Sequence, residues 1–527
     1  MSAAAATADQ KGGASKADSG AWLAVAAGTI GALMATLDVS IVNAALPLIQ
    51  GEVGASGSEG TWISTAYLVA EIVMIALAGW FVRLLGLRTF LLIVTTGFVL
   101  SSMACGISSN LVQMIIGRVG QGMTGGAMIP TAMTIVSTRL PPSQQPVGIA
   151  MFGATAVLGP VLGPAIGGYL AENVSWHYAF FLNLPIGLTL LGLLTLGLPS
   201  EKGDWGQLAD ADWLGILGLT LGLGCLTTLL EEGQRERWFE SDMINTLAGV
   251  SIVGFVLLIA GQFVARRPVI RLSILASNHS FAAVFVMSLV VGGALYGLLY
   301  LIPQYLANVQ GYNPEQSGYI AMISGVPTLM LMPFFPVAVR RIDVRLAVAM
   351  GLGFYGISCM LNSHLTPDIA GPELVVPQLL RGVGQFFSML FLNQAATASA
   401  GKEHAEDASC LFNAARNLGG SFGLAVISTL LDQRDTLHIN RIGESVTYNS
   451  PEGQAYVAQL TQAFANGDLE GGRLRGLAVF SQQVAHQANV LTFSDLFWLF
   501  GMILFGSIPL VLMMRPLPKG GAPGGGH

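Results

Sequence analysis

Residues 36–47 of the chain read TLDVSIVNAALP, and they close an apolar run that begins near Ala21. A run of about 20 mostly apolar residues is long enough to cross a lipid bilayer as a helix. The stretch nevertheless carries an acid, Asp38, and an amide, Asn43. A charged side chain at the bilayer centre costs at least about 2.5–3.5 kcal/mol on insertion scales, so it normally faces a partner or a water-filled cavity. We therefore predict a membrane-spanning helix that carries a polar site.

The composition of the whole chain indicates a membrane protein. Of its 527 residues, 53% are hydrophobic and only 10% are charged, whereas a soluble domain has roughly 25% charged residues. The net charge of -6 gives no reason to expect a nucleic-acid partner. The four cysteines lie in apolar runs without CxxC spacing, which predicts packing residues rather than disulfides or metal ligands. Motifs for a cofactor, a metal ion or ATP are absent, so we expect no enzyme and no ATP-driven pump.

Fourteen runs of the chain are long and apolar enough to cross the membrane, and we number them as spans 1 to 14. Because backbone groups in lipid must pair within their own segment, each span is expected to be a helix. The predicted fold class is therefore an all-α polytopic membrane protein. The runs lie near residues 22–46, 62–82, 89–108, 111–137, 147–171, 179–199, 213–231, 244–265, 280–302, 318–339, 346–363, 373–399, 409–431 and 492–514.

Lysines and arginines are distributed unequally between the two sides of the spans. Fifteen of the 24 fall on the side of the N-terminus, six fall on the other side and three lie within spans. Because cytoplasmic loops carry the excess of these residues, we expect both termini in the cytoplasm. Residues 1–20 and 515–527 are predicted to be cytoplasmic tails, the first of them disordered because it is polar and rich in small residues.

A long polar loop, residues 432–491, separates spans 13 and 14 on the side opposite the termini. Its stretch AYVAQLTQAF, residues 455–464, has the apolar spacing of a helix. A solvated connector and a docking site for a partner outside the membrane both fit this segment, and the sequence leaves the two interpretations open.

Spans 1–6 and spans 9–14 resemble two copies of one unit. Span 4 contains GRVGQG (residues 117–122) and span 12 contains RGVGQF (residues 381–386). This pattern predicts six-helix halves over residues 21–199 and 280–514, with two additional spans and their linkers over 200–279. Many secondary transporters are built from such repeats and bind their substrate near mid-membrane between the halves. Chance similarity between apolar segments is the alternative.

Asp38 in span 1 and Arg118 in span 4 are predicted to lie at similar depth. They stand about nine and eight residues from the outer ends of their spans, and a helix rises 1.5 Å per residue. An ion pair between them that exchanges with a proton is geometrically possible. A permanent structural pair that stabilises the packing of the spans fits the residues as well.

Glu71 lies near the middle of span 2. Burial favours the neutral form of a carboxyl group, which suits a proton carrier. A hydrogen bond from a permanently protonated Glu71 to a neighbouring helix is the alternative. The remaining polar side chains at comparable depth are predicted to line a substrate cavity, and they are Asn43, Gln121, Arg381, Gln385 and Arg416.

Span 5 contains the stretch GPVLGPAIGGYL, residues 159–170. Gly159, Gly163 and Gly167 are four residues apart, so they share one helix face and permit close contact with another helix. The two prolines of the stretch remove backbone hydrogen bonds and can bend the helix. We predict a kinked, tightly packed helix, and nothing in it identifies a substrate.

Taken together, these motifs resemble the major facilitator superfamily, and within it the branch of fourteen-span drug:proton antiporters. LDVSIVNAALP (37–47) is similar to the span 1 signature of that branch, and GRVGQG to the span 4 signature. GPVLGPAIGGYL (159–170) is similar to the antiporter motif, and WHYAFFLNLPIG (176–187) to the segment before span 6. GWFVRLLGLR (79–88) stands where the superfamily has its motif between spans 2 and 3. Here Arg83 replaces the usual Asp, which puts the charge-relay role of that loop in doubt.

The resemblance implies proton-coupled export of hydrophobic or amphiphilic drugs and toxic compounds across a bacterial inner membrane. It also implies a periplasmic adaptor of the EmrA type and an outer-membrane channel of the TolC type. By the same resemblance Asp38 and Arg118 serve proton coupling. Glu71, which is singled out by its depth in span 2 and not by the resemblance, is the rival carrier. The residues that shape the span 5 contact and favour outward transport would be Gly159, Gly163, Pro164, Gly167 and Gly168.

Two other functions remain open at this point. An exporter of a single endogenous metabolite could use the same fold and the same charged residues. A membrane sensor or assembly protein that transports nothing could share the span pattern.

Overall fold

The computed structural model describes residues 17–201, 203–208, 210–266, 268–400, 405–445, 451–465 and 468–516. Most of both predicted tails, residues 1–16 and 517–527, therefore lies outside the described residues. Within the described ranges the chain consists of helices joined by short loops and turns, and no β-strand occurs.

The helices follow one another in the order of the fourteen predicted spans. Twelve of them are long and apolar enough to cross a bilayer by length and composition. Spans 4 and 13 complete the fourteen, and each of them carries a buried arginine, Arg118 and Arg416 respectively. The spans run Ser19–Glu52, Trp62–Leu85, Leu87–Gly106, Leu111–Arg139, Gln145–Asn173, His177–Gly197, Trp213–Glu232, Asp242–Val264, His279–Gln310, Glu315–Arg341, Val344–Asn362, Pro372–Ser399, Ala405–Ser445 and Leu469–Met513.

Short polar residues fix several helix ends. The Asn110 side chain accepts a hydrogen bond from the backbone N–H of Gln113 at the start of span 4, and Asn278 accepts one from Phe281 at the start of span 9. These side chains replace the carbonyl partners that the first turn of a helix lacks. Span 9 ends at Gly311, whose φ of 67° is the left-handed conformation that glycine adopts without strain.

Within each predicted half, several spans pack closely on one another. In the first half, span 1 packs against spans 4, 5 and 6, and span 2 packs against span 4. In the second half, span 9 packs against spans 13 and 14, and span 11 packs against spans 12 and 14. Contacts of span 13 with spans 2 and 4, and of span 5 with span 10, join the halves along a seam through the middle of the molecule. The bounds of the two halves, residues 21–199 and 280–514, stay a prediction.

Spans 7 and 8 form a hairpin that packs mainly on itself. Gly218 and Gly222 of span 7 lie directly against Gly254 and Phe255 of span 8, where a side chain in place of a glycine would collide with backbone or ring atoms. Span 7 also contacts span 2 of the first half and span 13 of the second half. Span 8 faces outward, with Phe263 86% exposed, as expected of a helix in contact with lipid. The hairpin therefore bridges the two halves from one side.

The chain ends define one face of the molecule. The backbone N–H of Ala17 donates to Gln144 Oε1 over 3.2 Å, and that of Arg515 donates to Ser280 Oγ over 2.9 Å. We call this side, where spans 5 and 9 begin, the terminal face. The opposite side, which carries the connection between spans 13 and 14, is the loop face.

The predicted loop 432–491 is largely helical. The helix of span 13 continues to Ser445, a separate loop helix covers Pro451–Phe464, and the helix of span 14 already begins at Leu469. The loop helix includes the stretch in which the sequence has helical spacing. It packs against the start of the last helix, where Gly472 and Gly476 allow close approach. The result is a helical hairpin on the loop face.

Candidate functional site

Asp38 lies at the centre of a closed polar cluster within the first half. Its Oδ2 accepts a hydrogen bond from Arg118 Nη1 over 2.6 Å, and its Oδ1 accepts from Gln121 Nε2 over 2.8 Å and from Asn183 Nδ2 over 2.7 Å. Ser102 Oγ accepts from the same two amides, over 2.8 Å from Gln121 and 3.2 Å from Asn183. All five side chains are buried. Four helices, spans 1, 3, 4 and 6, thus share one hydrogen-bond network.

Residues of span 2 contact the side of Arg118 that faces away from Asp38. Its Nε donates to the carbonyl oxygen of Ile63 over 3.1 Å, and its guanidinium stands 4.2 Å from the centre of the Tyr67 ring. Span 2 therefore completes the enclosure. One carboxylate and one guanidinium balance in charge, and hydrogen bonds hold both, which is the condition under which a buried ion pair is tolerated. In this conformation the cluster is part of the interior of the first half and does not face the seam.

The structure places two of the predicted cavity residues, Gln121 and Asn43, in different surroundings. Gln121 is a member of the Asp38 cluster. Asn43 is exposed near the loop face, where its Oδ1 accepts a hydrogen bond from Ser64 Oγ over 2.8 Å. The sequence singled out neither Asn183 nor Ser102. Asn183 could have been identified from the sequence, because it is the one amide in the stretch FLNLPIG of the segment before span 6.

Glu71 and Arg416 face each other across the seam between the halves. Glu71 of span 2 is 6% exposed and Arg416 of span 13 is 4% exposed. Arg416 lies near enough to Glu71 for their charges to interact, although no direct ion pair joins the two among the described residues. The Nε and Nη1 of Arg416 have no hydrogen-bond partner in the part of the chain that the structure describes. A buried acid and a buried, incompletely bonded base thus stand on opposite sides of the seam.

Two tyrosines extend this central group. Tyr67, on span 2, and Tyr296, on span 9, both lie in the neighbourhood of Glu71. The hydroxyl of Tyr296 donates to Asn417 Oδ1 over 3.5 Å. Hydroxyl groups of this kind can accept one proton and donate another.

Arg381 lies in span 12, at the start of the stretch RGVGQF that resembles GRVGQG of span 4. Its Nη2 donates to Ser324 Oγ over 3.0 Å and its Nη1 to the carbonyl oxygen of Leu298 over 3.4 Å. Within the described residues no acid pairs with Arg381, in contrast to Arg118, which pairs with Asp38. Gln385, one turn further along span 12, is buried and directly precedes a π-helical segment, Phe386–Leu390. Such segments are frequent at functional sites.

The glycine face of span 5 packs against span 1. A side chain at Gly163 would collide with Ser40, and one at Gly167 would collide with the backbone of Ile41. Gly159 lies in the same way against Thr36. Of the other motif residues, Gly168 meets no atom within 4 Å and Pro164 is exposed. The stripe therefore fixes the distance between spans 1 and 5, and Asp38 lies on the same stretch of span 1.

An ion pair closes the seam at the terminal face. Arg83 Nη1 lies 3.0 Å from Asp407 Oδ1, and Arg83 Nη2 donates to the carbonyl oxygen of Val269 over 3.1 Å. Arg271 Nε is 3.9 Å from the other oxygen of Asp407. Arg83, at the end of span 2, thus connects the first half to span 13 of the second. Sequence reasoning missed Asp407 because it considered acids within spans only.

The outer end of the span 7–8 hairpin contacts both halves at the loop face. Glu232 accepts a hydrogen bond from Thr65 of span 2 over 2.9 Å and forms a 2.7 Å ion pair with Arg235. On the other side, Trp238 Nε1 donates to Thr429 of span 13 over 3.0 Å. The stretch LLEEGQRERW, residues 229–238, carried this signal as a concentration of charge at a span end. The two extra spans are therefore joined to the seam by polar contacts.

Comparison with known proteins agrees with this architecture. The colistin resistance protein EmrB of Acinetobacter baumannii is 32% identical over 496 residues, which cover 94% of this chain and 96% of that protein. The multidrug export protein EmrB of Escherichia coli K12 is 29% identical over 506 residues, covering 95% and 96%. The fatty acid resistance protein FarB of Neisseria gonorrhoeae is 29% identical over 509 residues, covering 96% and 98%.

A solved structure shares the fold. The human organic anion transporter MFSD10 superposes with a TM-score of 0.59 and 15% sequence identity, covering 92% of this chain and 99% of that one. The family model of the Major Facilitator Superfamily matches residues 28–424. The predicted family and fold class are confirmed. Since the family match covers most of the chain and a relative aligns over nearly its full length, this chain belongs to the Major Facilitator Superfamily.

Proposed function

We propose that the protein exports hydrophobic or amphiphilic drugs and toxic compounds in exchange for protons. The names of its relatives support this function, since they refer to colistin resistance, multidrug export and fatty acid resistance. These are three different kinds of compound. Such variety among similar chains favours broad export over the export of a single endogenous metabolite.

The observation that carries the proposal is the pair of buried charges at the seam, Glu71 and Arg416. Exchange of a proton for a substrate requires a group that can bind and release a proton near the middle of the membrane, between the two halves. A buried carboxyl group such as that of Glu71 meets this requirement. When Glu71 is ionised, it attracts Arg416 across the seam. When it takes up a proton, this attraction is lost and the halves are freer to separate. Proton binding at Glu71 would in this way be linked to the relative position of the halves.

Asp38 and Arg118 take a supporting part in this proposal. Every oxygen of Asp38 already faces hydrogen-bond donors, so a proton can enter only if a donor moves away. We therefore propose Glu71 as the proton carrier and the Asp38–Arg118 pair as the group that positions span 4 beside it. The glycine face of span 5 would keep span 1, and with it Asp38, in register with this site.

The cellular setting is also a proposal. We infer a bacterial inner membrane with both termini in the cytoplasm, because the basic residues concentrate on the terminal face. The relatives named EmrB support a tripartite assembly with an adaptor of the EmrA type and a channel of the TolC type. The hairpin formed by the loop helix and the start of the last helix is the part of this chain that we propose as the adaptor contact.

Inside-out membrane vesicles test the transport proposal. An inwardly acidic gradient should drive uptake of amphiphilic dyes such as ethidium, and a protonophore should abolish it. Glu71→Gln should remove gradient-driven uptake while the purified protein keeps its melting temperature. The proposal fails if vesicles with the wild-type chain take up no compound of a chemically varied panel. Uptake of one endogenous acid alone would favour the single-metabolite exporter.

A further inference from the structure

A second carboxyl group at the seam has no part in the function described so far. Glu231 is next to Glu232 at the loop-face end of span 7, yet the two side chains are directed to different halves. Glu232 reaches Thr65 of the first half, whereas Glu231 lies beside Ser421 of the second. The Oε1 of Glu231 is buried and has no hydrogen-bond partner within the described residues.

The surroundings of Glu231 contain no cation of its own. Within the described residues, Glu232 is the one charged group that acts on it, and Glu232 is already paired with Arg235. Span 13 contributes the Ser421 hydroxyl to this site. The ionisable side chains in the neighbouring part of span 2 are Tyr67 and Glu71.

Span 8, the remaining neighbour of span 7, offers only Asp242, in its exposed first turn. A carboxylate that is buried without a cation or a full set of donors is costly to keep ionised. Glu231 is therefore placed to take up a proton from the loop face.

Polar side chains continue from Glu231 toward the central site. On span 13, Asn417 lies one turn below Ser421, and Arg416 follows directly. Tyr296 of span 9 packs against Gly420 and donates its hydroxyl to Asn417 over 3.5 Å. Five residues of helix separate Ser421 from Arg416, which corresponds to a depth of about 7.5 Å. This distance is short enough for hydroxyl groups and a water molecule to bridge.

We propose that Glu231 is the entry site for protons from the loop face, and that Ser421 and Tyr296 pass them on to Glu71. The proton taken up by the Glu231 carboxylate is handed to the Ser421 oxygen as that hydroxyl releases its own proton onward. Tyr296 repeats this exchange, and the Glu71 carboxylate is the final acceptor. Glu231 then returns to its ionised form. The extra hairpin of spans 7 and 8 would thus belong to the coupling machinery; the inference rests on the proposed proton exchange at Glu71.

Two transport modes in reconstituted vesicles separate proton delivery from substrate handling. Uptake of ethidium driven by a pH gradient needs net proton movement, whereas exchange of labelled for unlabelled ethidium at equal pH does not. Glu231→Gln should lower gradient-driven uptake at least tenfold and leave the exchange rate and the melting temperature unchanged. Glu231→Asp should restore part of the driven uptake, and Ser421→Ala should lower it.

Glu240→Gln is the matched control, because Glu240 is an exposed acid on the same connection between spans 7 and 8. It should behave as the wild type in both modes. The inference is overturned if Glu231→Gln retains wild-type driven uptake, or if it loses exchange together with driven uptake. If the wild-type protein itself shows no gradient-driven uptake, the proposed antiport fails first, so the two failures are distinguishable.

Discussion

Replacing Asp38 by Asn tests how the closed cluster of the first half is held together. The carboxylate accepts three hydrogen bonds of 2.6–2.8 Å, from Arg118, Gln121 and Asn183. An amide in its place turns one acceptor into a donor that faces other donors, and it leaves Arg118, which is 0% exposed, without a counter-charge. Removing one partner of a buried pair costs about 3–5 kcal/mol. We expect a loss of this size in the free energy of unfolding in detergent.

Ser102→Ala is the reference variant against which the destabilisation by Asp38→Asn is compared. It removes the acceptor shared by Gln121 and Asn183 but leaves the ion pair, so it should cost only about 1–3 kcal/mol. The double variant Asp38→Asn with Arg118→Met removes the orphaned charge as well. It should recover at least about 2 kcal/mol relative to Asp38→Asn alone, because the two sites are strongly coupled.

The double variant also separates structure from proton transfer. If it is stable and still takes up ethidium in response to a pH gradient, Asp38 is a structural partner of Arg118 only. If it is stable and inactive, Asp38 takes a direct part in coupling. An Asp38→Asn protein that unfolds no more easily than the wild type would refute the reasoning, because the burial and hydrogen bonding described here require a large cost.

Three further predictions can be checked by thermal unfolding of the purified variants. Gly163→Leu should destabilise by about 1–3 kcal/mol or more because it collides with span 1, whereas Gly168→Leu, at a position with no atom within 4 Å, should leave the melting temperature unchanged. Arg83→Asp should lower the melting temperature by placing an acid beside Asp407, and the charge swap with Asp407→Arg should restore most of it. Trp238→Phe should cost about 0.5–1.5 kcal/mol through loss of the hydrogen bond to Thr429.

The number and order of the helices could be read from the sequence, because each span must present a long apolar surface to lipid. The similar depth of Asp38 and Arg118 was also accessible, since helical rise converts residue counts into depth. The direction in which each side chain points could not be predicted from the sequence. Asn43 and Gln121 were expected in one cavity, yet the first is exposed at a helix end and the second is bonded to Asp38. Rotation of a helix about its axis is set by packing, which a single sequence does not reveal.

The sequence analysis also did not identify the buried acids at the ends of spans. Glu231 and Asp407 stand where a chain normally leaves the membrane, and charges at such positions usually face water at little cost. Only the packing of span 13 against its neighbours shows that both are directed toward the seam. The sequence showed that Arg83 stands where the superfamily motif usually has an Asp. Its partner could not be found, because the two residues are 324 positions apart.

The Arg83–Asp407 contact restricts how chains of this family can recombine. One member of the pair belongs to the first half and the other to the second, so a chimera that joins halves from two relatives inherits the two charges independently. A first half with Arg83 joined to a second half that carries a cation in place of Asp407 would bring two cations together at the terminal face. Compatible parents for such chimeras can therefore be chosen by the sign of the charge at these two positions.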